Sequence, residues 1–398
     1  MQKPHEILLS EFVNKYVDEI LAESSAEPVR KSFHIPLPED LLQISKMFQS
    51  AGKQFFLVGG SVRDALMGLP PKDLDVATDA QPDDVVGILR QNPAYKILEV
   101  GKSFGVVKVI TPEGNEYEIA TFRQDIGKGR RPDAVSFTSI DQDVQRRDLT
   151  INALFYDIEK QEIVDYVGGM GDIEKGVIRT VGSPEERFDE DRLRILRAIR
   201  FAARVGSGLD PATSQAIKAN NSLEGVSGER IRDEFLKGIK SAKSVVQFFH
   251  LISEYNLWEQ IFPGLLVSRD FKESKNIPVM LGYLLRENPW KVLMNKLNQL
   301  KYPADEVAQV SFLSMFLSLS VMNAYKLKKL FKNSRLSDSD LVQFSHMVGK
   351  PEDHLVKAFI KFEHSVTGIE LQAQGFSGKE LGQEQERRET ELFRRLAL

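Results

Sequence analysis

The feature that most constrains this chain is a change of hydrophobic period along it. Up to about residue 183, short apolar runs that alternate are interleaved with amphipathic stretches and glycine turns. Beyond about residue 184 almost every window repeats at three and four residues, and strand patterns vanish. Alternation makes half-buried strands and the longer period makes helices, so a sheet-containing head must precede a helical remainder. The fold class expected is α+β, with a mixed β-sheet and helices in an N-terminal head and an all-helical part after it. LPEDLLQISKMFQSAG (37–52), SVRDALMG (61–68) and DAQPDDVVGILRQ (79–91) read as helices, with Ser61 able to cap the second and Pro82 near the start of the third. QFFLVGG (54–60), DLDVAT (73–78), KILEV, VVKVIT, YEIATF and VSFTSI read as strands. A helix starting near Asp148 leads into a further strand pair, EIVDYVGG and GVIRTVG.

Composition narrows the function classes. A chain of 398 residues suits two or three domains. The net charge of −4 means that any nucleic-acid site is a local basic surface. Cysteine is absent, which excludes a thiolate metal site and a cysteine nucleophile and fits a reducing cytosol. The opening MQKPHEILLSEFVNKY lacks the apolar core of a signal peptide, and the longest apolar stretch, Val310 to Met322, is shorter than the roughly 20 residues of a membrane span. A soluble, cytoplasmic protein is expected. The histidines are dispersed and show no metal-ligand spacing.

Four constellations carry chemistry. Asp73 and Asp75 lie two apart on a strand, so both carboxylates point one way while Leu74 faces the core. Such a pair repels unless a cation sits between, and Mg²⁺ in phosphoryl transfer is held by one or two carboxylates plus phosphates; a turn or a helix cap is the plainer reading. Just upstream, Gly59, Gly60, Ser61, Val62 and Arg63 follow an apolar strand and open a helix, a place where backbone N–H groups hold phosphate, or else form an ordinary glycine turn. This is no Walker loop; Gly101-Lys102-Ser103 mimics one, but Lys96 stands where the leading glycine belongs. Glu118 shares a face with Glu116 and either supplies a third carboxylate or faces solvent.

In RRDLTIN, Asp148 and Asn152 are four apart and suit sugar hydroxyls, while Arg146 and Arg147 suit phosphates; a capped helix start is the alternative. In the segment 190–200, Asp191, Arg194, Arg197 and Arg200 are spaced by three beside Leu193, Leu196 and Ile199. That pattern is either an amphipathic helix with solvated charges or a reader of base edges. Cytosine and adenine both show an amino donor beside a ring-nitrogen acceptor, which Asp191 and Arg194 match. Uracil and guanine would leave both groups unpaired, at about 1–3 kcal/mol per buried group.

Together and in this order, GGSVRD, DLDVATDA, YEIATFR, RRDLTIN, DYVGGMGDI and EDRLRILRAIRFAAR closely resemble the class II tRNA nucleotidyltransferase and bacterial poly(A) polymerase family. The resemblance is dense from Phe55 to about Gly206, and VSGERIRDEF (226–235) resembles the family's next helical motif. It implies an N-terminal helical extension (1–34), a nucleotidyltransferase head (35–183), a helical neck with a nucleotide-selecting helix (184–242) and a helical body and tail that grip tRNA (243–398). By the same resemblance Asp73 and Asp75 bind Mg²⁺, Glu118 is the third carboxylate, and Gly59, Gly60 and Arg63 hold the triphosphate. Arg147, Asp148 and Asn152 contact phosphate and ribose, and Asp191 and Arg194 select CTP and ATP in a pocket lined also by Arg197 and Arg200. The implied activity is template-independent addition of C, A or both to the acceptor end of tRNA, with CTP and ATP as substrates and no membrane or protein partner. A poly(A) polymerase, an RNA-binding relative without catalysis and a nucleotidyltransferase acting on antibiotics or proteins are the alternatives. VGKSFGVVKV (100–109), where the polymerases are arginine-rich, looks more like the tRNA enzymes. A mobile loop supporting the switch to ATP is expected around 124–135, and no His-Asp dipeptide marks a phosphohydrolase domain. Lys326, Lys328, Lys329, Lys332 and Arg335 form either a basic patch or a solvated helix, and KELGQEQERRETELFRR looks like a solvated helix.

Overall fold

The computed structural model describes residues 27–71, 73–99, 101–126, 134–350 and 353–398. They fall into two compact units, one running to Arg194 and taking in Gly208–Ala216, the other made of Ile195–Ser207 and Ile217–Leu398. The first unit holds ten strands: β1 (Val29–Ser32), β2 (Phe55–Val58), β3 (Val76–Thr78), β4 (Lys96–Leu98), β5 (Val106–Ile110), β6 (Glu116–Thr121), β7 (Arg123–Ile126), β8 (Ala134–Phe137), β9 (Phe155–Asp157) and β10 (Glu162–Asp165). Eight of them make one sheet in the order β1-β10-β9-β2-β3-β6-β5-β4, and β7 and β8 form a separate hairpin. Within the large sheet β3 and β6 run parallel and the other neighbours antiparallel, so the sheet is mixed as expected.

β2 lies in the middle of this sheet, and its four residues are all buried because both faces are covered. Alternation sends Phe55 and Leu57 into a core with Phe48, Val76, Val107, Ile119 and Tyr156. The helices Glu39–Ser50 and Pro82–Leu89 close that side through Ile44, Phe48, Val85 and Leu89. Phe56 and Val58 point the other way, to Phe122, Val144 and Phe155. Phe56 and Phe155 meet edge to face with centroids 6.0 Å apart. One buried carboxylate, that of Asp40, accepts hydrogen bonds from the Thr111 hydroxyl (2.7 Å), Asn115 (2.8 Å) and Tyr117 (2.7 Å), pinning the first helix to the β5–β6 turn.

Three expectations change. Val29–Ser32, inside the stretch expected to be helical, is a strand that pairs with β10, because the sheet offers an open edge that an exposed VRKS segment can hydrogen-bond; residues 1–26 lie outside the described residues. The late strand pair is β9 and β10 rather than EIVDYVGG and GVIRTVG. The free side of β10 is taken by β1, and the second segment makes only isolated bridges, Leu149 with Thr180 and Ile178 with Leu209. Ser61 does not cap its helix: its hydroxyl donates to the Val58 carbonyl (3.0 Å), and Gly59 stands at the cap position.

The second unit contains helices joined by loops and no strand among its described residues. Phe235, Phe248, Phe249, Trp258 and Phe262 form one aromatic cluster, with Phe235 and Phe262 centroids 5.2 Å apart. The helix Ala324–Ser334 does not present a continuous basic patch. Lys326 pairs with Glu386 (2.7 Å), Lys329 lies over the Tyr325 ring and Arg335 pairs with Asp305. Lys328 is buried and donates to the carbonyls of Phe359 (2.7 Å) and Ile360 (3.0 Å), which ends the helix His354–Lys361. The C-terminal helix Gly378–Ala397 is amphipathic rather than wholly solvated, since Glu389 and Phe393 are fully buried.

Candidate active site

The site is assembled where β2 ends and β3 begins. DLDVAT becomes a strand only from Val76, so Asp73, at a bend, and Asp75 precede it, and the Asp75 carbonyl accepts from Val58 N (2.9 Å). Alternation still holds there. Leu74 packs on the core while both aspartates point away from it into a concave cavity of about 670 Å³, lined also by Lys108, Glu116 and Glu118, where neighbouring protein displaces part of the water around Asp75. Glu118 reaches the cavity because Tyr117 and Ile119, its neighbours on β6, are buried. Lys108 on β5 bridges Glu116 and Glu118, each at 3.3 Å.

The charges in this cavity are unbalanced. Desolvation first, then the negative charges of Glu118 and Asp73, push the Asp75 pKa up, against the pull of Arg147 and Lys108. A carboxylate pushed up by neighbouring carboxylates fits a bound cation. Among the described residues no three acidic or imidazole side chains converge into a full ligand group, so Asp73 and Asp75 would supply two ligands and leave the rest to phosphate and water.

Beside the cavity the chain turns at Gly59, whose φ of +71° and ψ of −124° exclude a side chain, and enters the helix Gly60–Leu66. A Cβ on Gly59 would lie 3.7 Å from Arg147 Nη1, so the turn runs directly over that guanidinium. Arg63, expected to face a triphosphate, is buried and turned inward. Its Nε and Nη2 donate to Asp64 Oδ1 (2.9 and 2.8 Å) and its Nη1 to Asn152 Oδ1. Asn152 Nδ2 donates to Asp148 Oδ1 (3.2 Å), which also accepts from Leu149 N (2.8 Å). The expected pairing of Asp148 with Asn152 is present, but a 3₁₀ turn (Thr150–Asn152) makes it rather than an α-helix.

Arg147 stacks on Phe155 with its guanidinium carbon 4.6 Å from the ring centre. Arg147 and Arg146 both reach back to Asp143, a buried carboxylate that the sequence reading did not single out. Its signal was present as spacing, three and four residues ahead of the two arginines on the helix Ile140–Gln145. DYVGGMGDI proves to be the brace of this region. Asp165 accepts from the backbone of Val167, Gly169 and Met170, opening the helix Gly169–Lys175, and Asp172 accepts from Thr150 Oγ1 (2.6 Å) and pairs with Arg179.

The segment 190–200, expected to select the nucleotide, is not one helix. One helix ends at Glu190 and the next begins at Leu193, so Asp191 sits in the break and its Oδ1 accepts from Leu193 N (3.2 Å). Arg194 pairs with Glu190 and donates to the carbonyls of Arg187 (3.1 Å) and Arg146 (3.2 Å). Arg197 and Arg200 belong to the second unit; Arg200 is buried, pairs with Glu234 and lies 4.1 Å over the Phe201 ring. Residues 127–133 of the expected mobile loop lie outside the described residues.

The "Poly A polymerase head domain" family matches residues 55–179, and the family described as "Probable RNA and SrmB- binding site of polymerase A" matches residues 208–267. A CCA-adding enzyme of Lactobacillus johnsonii is 35% identical over 331 residues, 78% of this chain and 79% of that protein. The chain belongs to the class II tRNA nucleotidyltransferase and bacterial poly(A) polymerase family. Poly(A) polymerase I of Escherichia coli is 34% identical over 251 residues, 61% of this chain and 53% of that enzyme. The Bacillus stearothermophilus CCA-adding enzyme, solved in complex with CTP, superposes with a TM-score of 0.67 at 26% identity, covering 90% of this chain and 92% of that one. The chain therefore shares its fold with that solved enzyme.

Proposed function

We propose that the protein extends the 3′ end of tRNA, adding C and A from CTP and ATP without a nucleic-acid template. One observation carries this reading: Asp73, Asp75 and Glu118 open into a single cavity, within reach of the charge of Arg147 under the Gly59 turn. The primer's 3′-oxygen attacks the α-phosphorus, the bond from that phosphorus to the bridging oxygen breaks, and pyrophosphate leaves. Asp73 and Asp75 would hold Mg²⁺, which when bound stabilises charge on the attacking and leaving oxygens. Arg147 faces the phosphates, with Arg63 holding Asn152 beside Asp148 for the ribose. Asp191 and Arg194 select cytosine and adenine by the amino-donor and ring-acceptor pattern that the two bases share. Family membership and a relative solved with CTP support the reading. A protein acting on tRNA would work in the cytoplasm. No helix among the described residues is long and apolar enough to cross a membrane.

The similarity to poly(A) polymerase I favours a second reading, A-tailing of RNA ends. Purified protein with Mg²⁺ and tRNA transcripts ending before CCA, after C and after CC, each offered CTP, ATP or both, separates the two. Extension that stops at CCA, lost in the Asp73→Ala, Asp75→Ala double variant, supports the proposal. Long A tails on tRNA and oligo(A) alike select the polymerase, and no extension of any primer refutes both.

A further inference from the structure

We infer that Asp143 is a positioning residue for nucleotide binding: it holds the guanidinium groups of Arg147 and Arg146 and ties them to the root of the β7–β8 hairpin. Its carboxyl is 1% exposed, and every oxygen is used. Oδ2 accepts from Arg147 Nε (3.2 Å) and Nη2 (2.9 Å), while Oδ1 accepts from Arg146 Nε (2.9 Å) and from the backbone N of Arg123, the first residue of β7 (3.1 Å). Burial alone would raise the pKa of this group, but the two arginine charges and the Arg123 N–H leave it below the ordinary carboxylate value.

The geometry says what the cluster does for Arg147. Nε and Nη2 are fixed by Asp143, Nη1 donates to the Asn152 carbonyl (3.5 Å), and Phe155 covers one face of the plane. Three of the five guanidinium N–H groups are engaged in these contacts, so the orientation of the remaining two is set before any ligand arrives. Arg146 is fixed similarly, by Asp143 and by the Arg123 carbonyl (3.0 Å), and its own carbonyl accepts from Arg194 Nη2 (3.2 Å). A buried ion cluster of this kind is weak evidence for stability, since well-packed apolar residues often serve as well. The inference rests on the proposed role of Arg147 at the phosphates.

The test compares Asp143→Asn and Asp143→Glu with the wild-type full-length protein. It measures equilibrium binding of CTP, ATP and a tRNA transcript, the KM for each, and thermal unfolding. The amide keeps the shape but turns a donor toward the arginines; the glutamate keeps the charge and shifts it by one methylene. In Asp143→Asn, nucleotide affinity is expected to fall about tenfold to a hundredfold, as for supporting residues that orient a binding group. Nucleotide KM should rise in step and tRNA affinity should stay put, with Asp143→Glu in between. Unchanged nucleotide affinity in a folded Asp143→Asn overturns the inference, as does an equal loss for nucleotide and tRNA. If Asp143→Asn does not fold, Asp143→Glu decides: weakened nucleotide binding supports the role and wild-type binding overturns it. A wild-type protein that binds CTP and ATP yet extends no tRNA defeats the proposed function, while the nucleotide affinities of the variants still judge Asp143.

Discussion

Gly169→Ala tests whether the helix behind the site sets the position of its ribose-side residues. Gly169 begins the helix Gly169–Lys175, and its backbone N is held by Asp165 Oδ1 (3.1 Å). A Cβ there would lie 2.8 Å from the Thr150 carbonyl carbon, closer still to the Thr150 oxygen, and 3.1 Å from Leu154 Cδ2. Carbon atoms pack best at about 3.5–4.0 Å, so the Thr150 peptide must retreat by roughly 0.7 Å or more. The side chain of Thr150 is tied to Asp172, so the turn cannot move alone. Overpacking of this kind costs about 1–3 kcal/mol, and at about 2–4 °C per kcal/mol in a domain of this size the melting temperature falls by about 2–12 °C. The turn ends at Asn152, two residues on, and misplacement on the order of 1 Å costs up to about a hundredfold in rate. Differential scanning calorimetry reports the first quantity and single-nucleotide addition to a CC-ended tRNA the second. A Gly169→Ala protein with wild-type melting and rate refutes the reasoning. Lower melting with unchanged addition leaves the steric argument standing and removes the link to the site.

Asp75→Asn should abolish nucleotide addition yet raise the melting temperature of the cation-free protein at pH 7. A carboxyl whose folded pKa is raised binds more protons folded than unfolded, so stability falls as pH climbs from the unfolded value toward the folded one, and the amide removes that penalty. An equal or lower melting temperature at pH 7 without divalent ions counts against a raised Asp75 pKa. Asp40 has the opposite sign. Burial raises its pKa, but the hydrogen bonds from Thr111, Asn115, Tyr117 and the Leu41 N–H outweigh that and lower it. Its stabilisation is present above an unfolded value of about 3.9 and is lost as pH falls through the lower folded value. Asp40→Asn should therefore be less stable than wild type at pH 7, with a gap that narrows below about pH 4; a gap that is constant with pH would contradict this. Tyr302 is buried and its hydroxyl has no hydrogen-bond partner. Tyr302→Phe should thus be neutral or stabilising by about 1 kcal/mol in urea denaturation, and a loss of that size would show a partner that the structure lacks.

Much of the site was readable because its chemistry is local. Asp73 and Asp75 share an exposure because of a two-residue period, and Glu118 is turned to the cavity because Tyr117 and Ile119 must be buried. What is not legible in the sequence is which partner each charge takes. Arg63 looked like a phosphate ligand from its place near a helix start, but Asn152, 89 residues on, draws it inward. Asp191 and Arg194 read as one helical stripe, whereas the chain breaks before Leu193, with Asp191 accepting from Leu193 N and Arg194 pairing with Glu190. Arg200 had the spacing of a pocket residue, yet Glu234 buries it in another unit.

The sequence by itself determined the division into a sheet-bearing head and a helical remainder, the strand faces and the family, because hydrophobic period and short motifs are properties of neighbouring residues. Only the tertiary structure decided which charges are used up in holding other groups and which remain for a ligand. A charged side chain entering a low-dielectric interior must find a partner, and that partner is supplied by whichever element the fold packs against it.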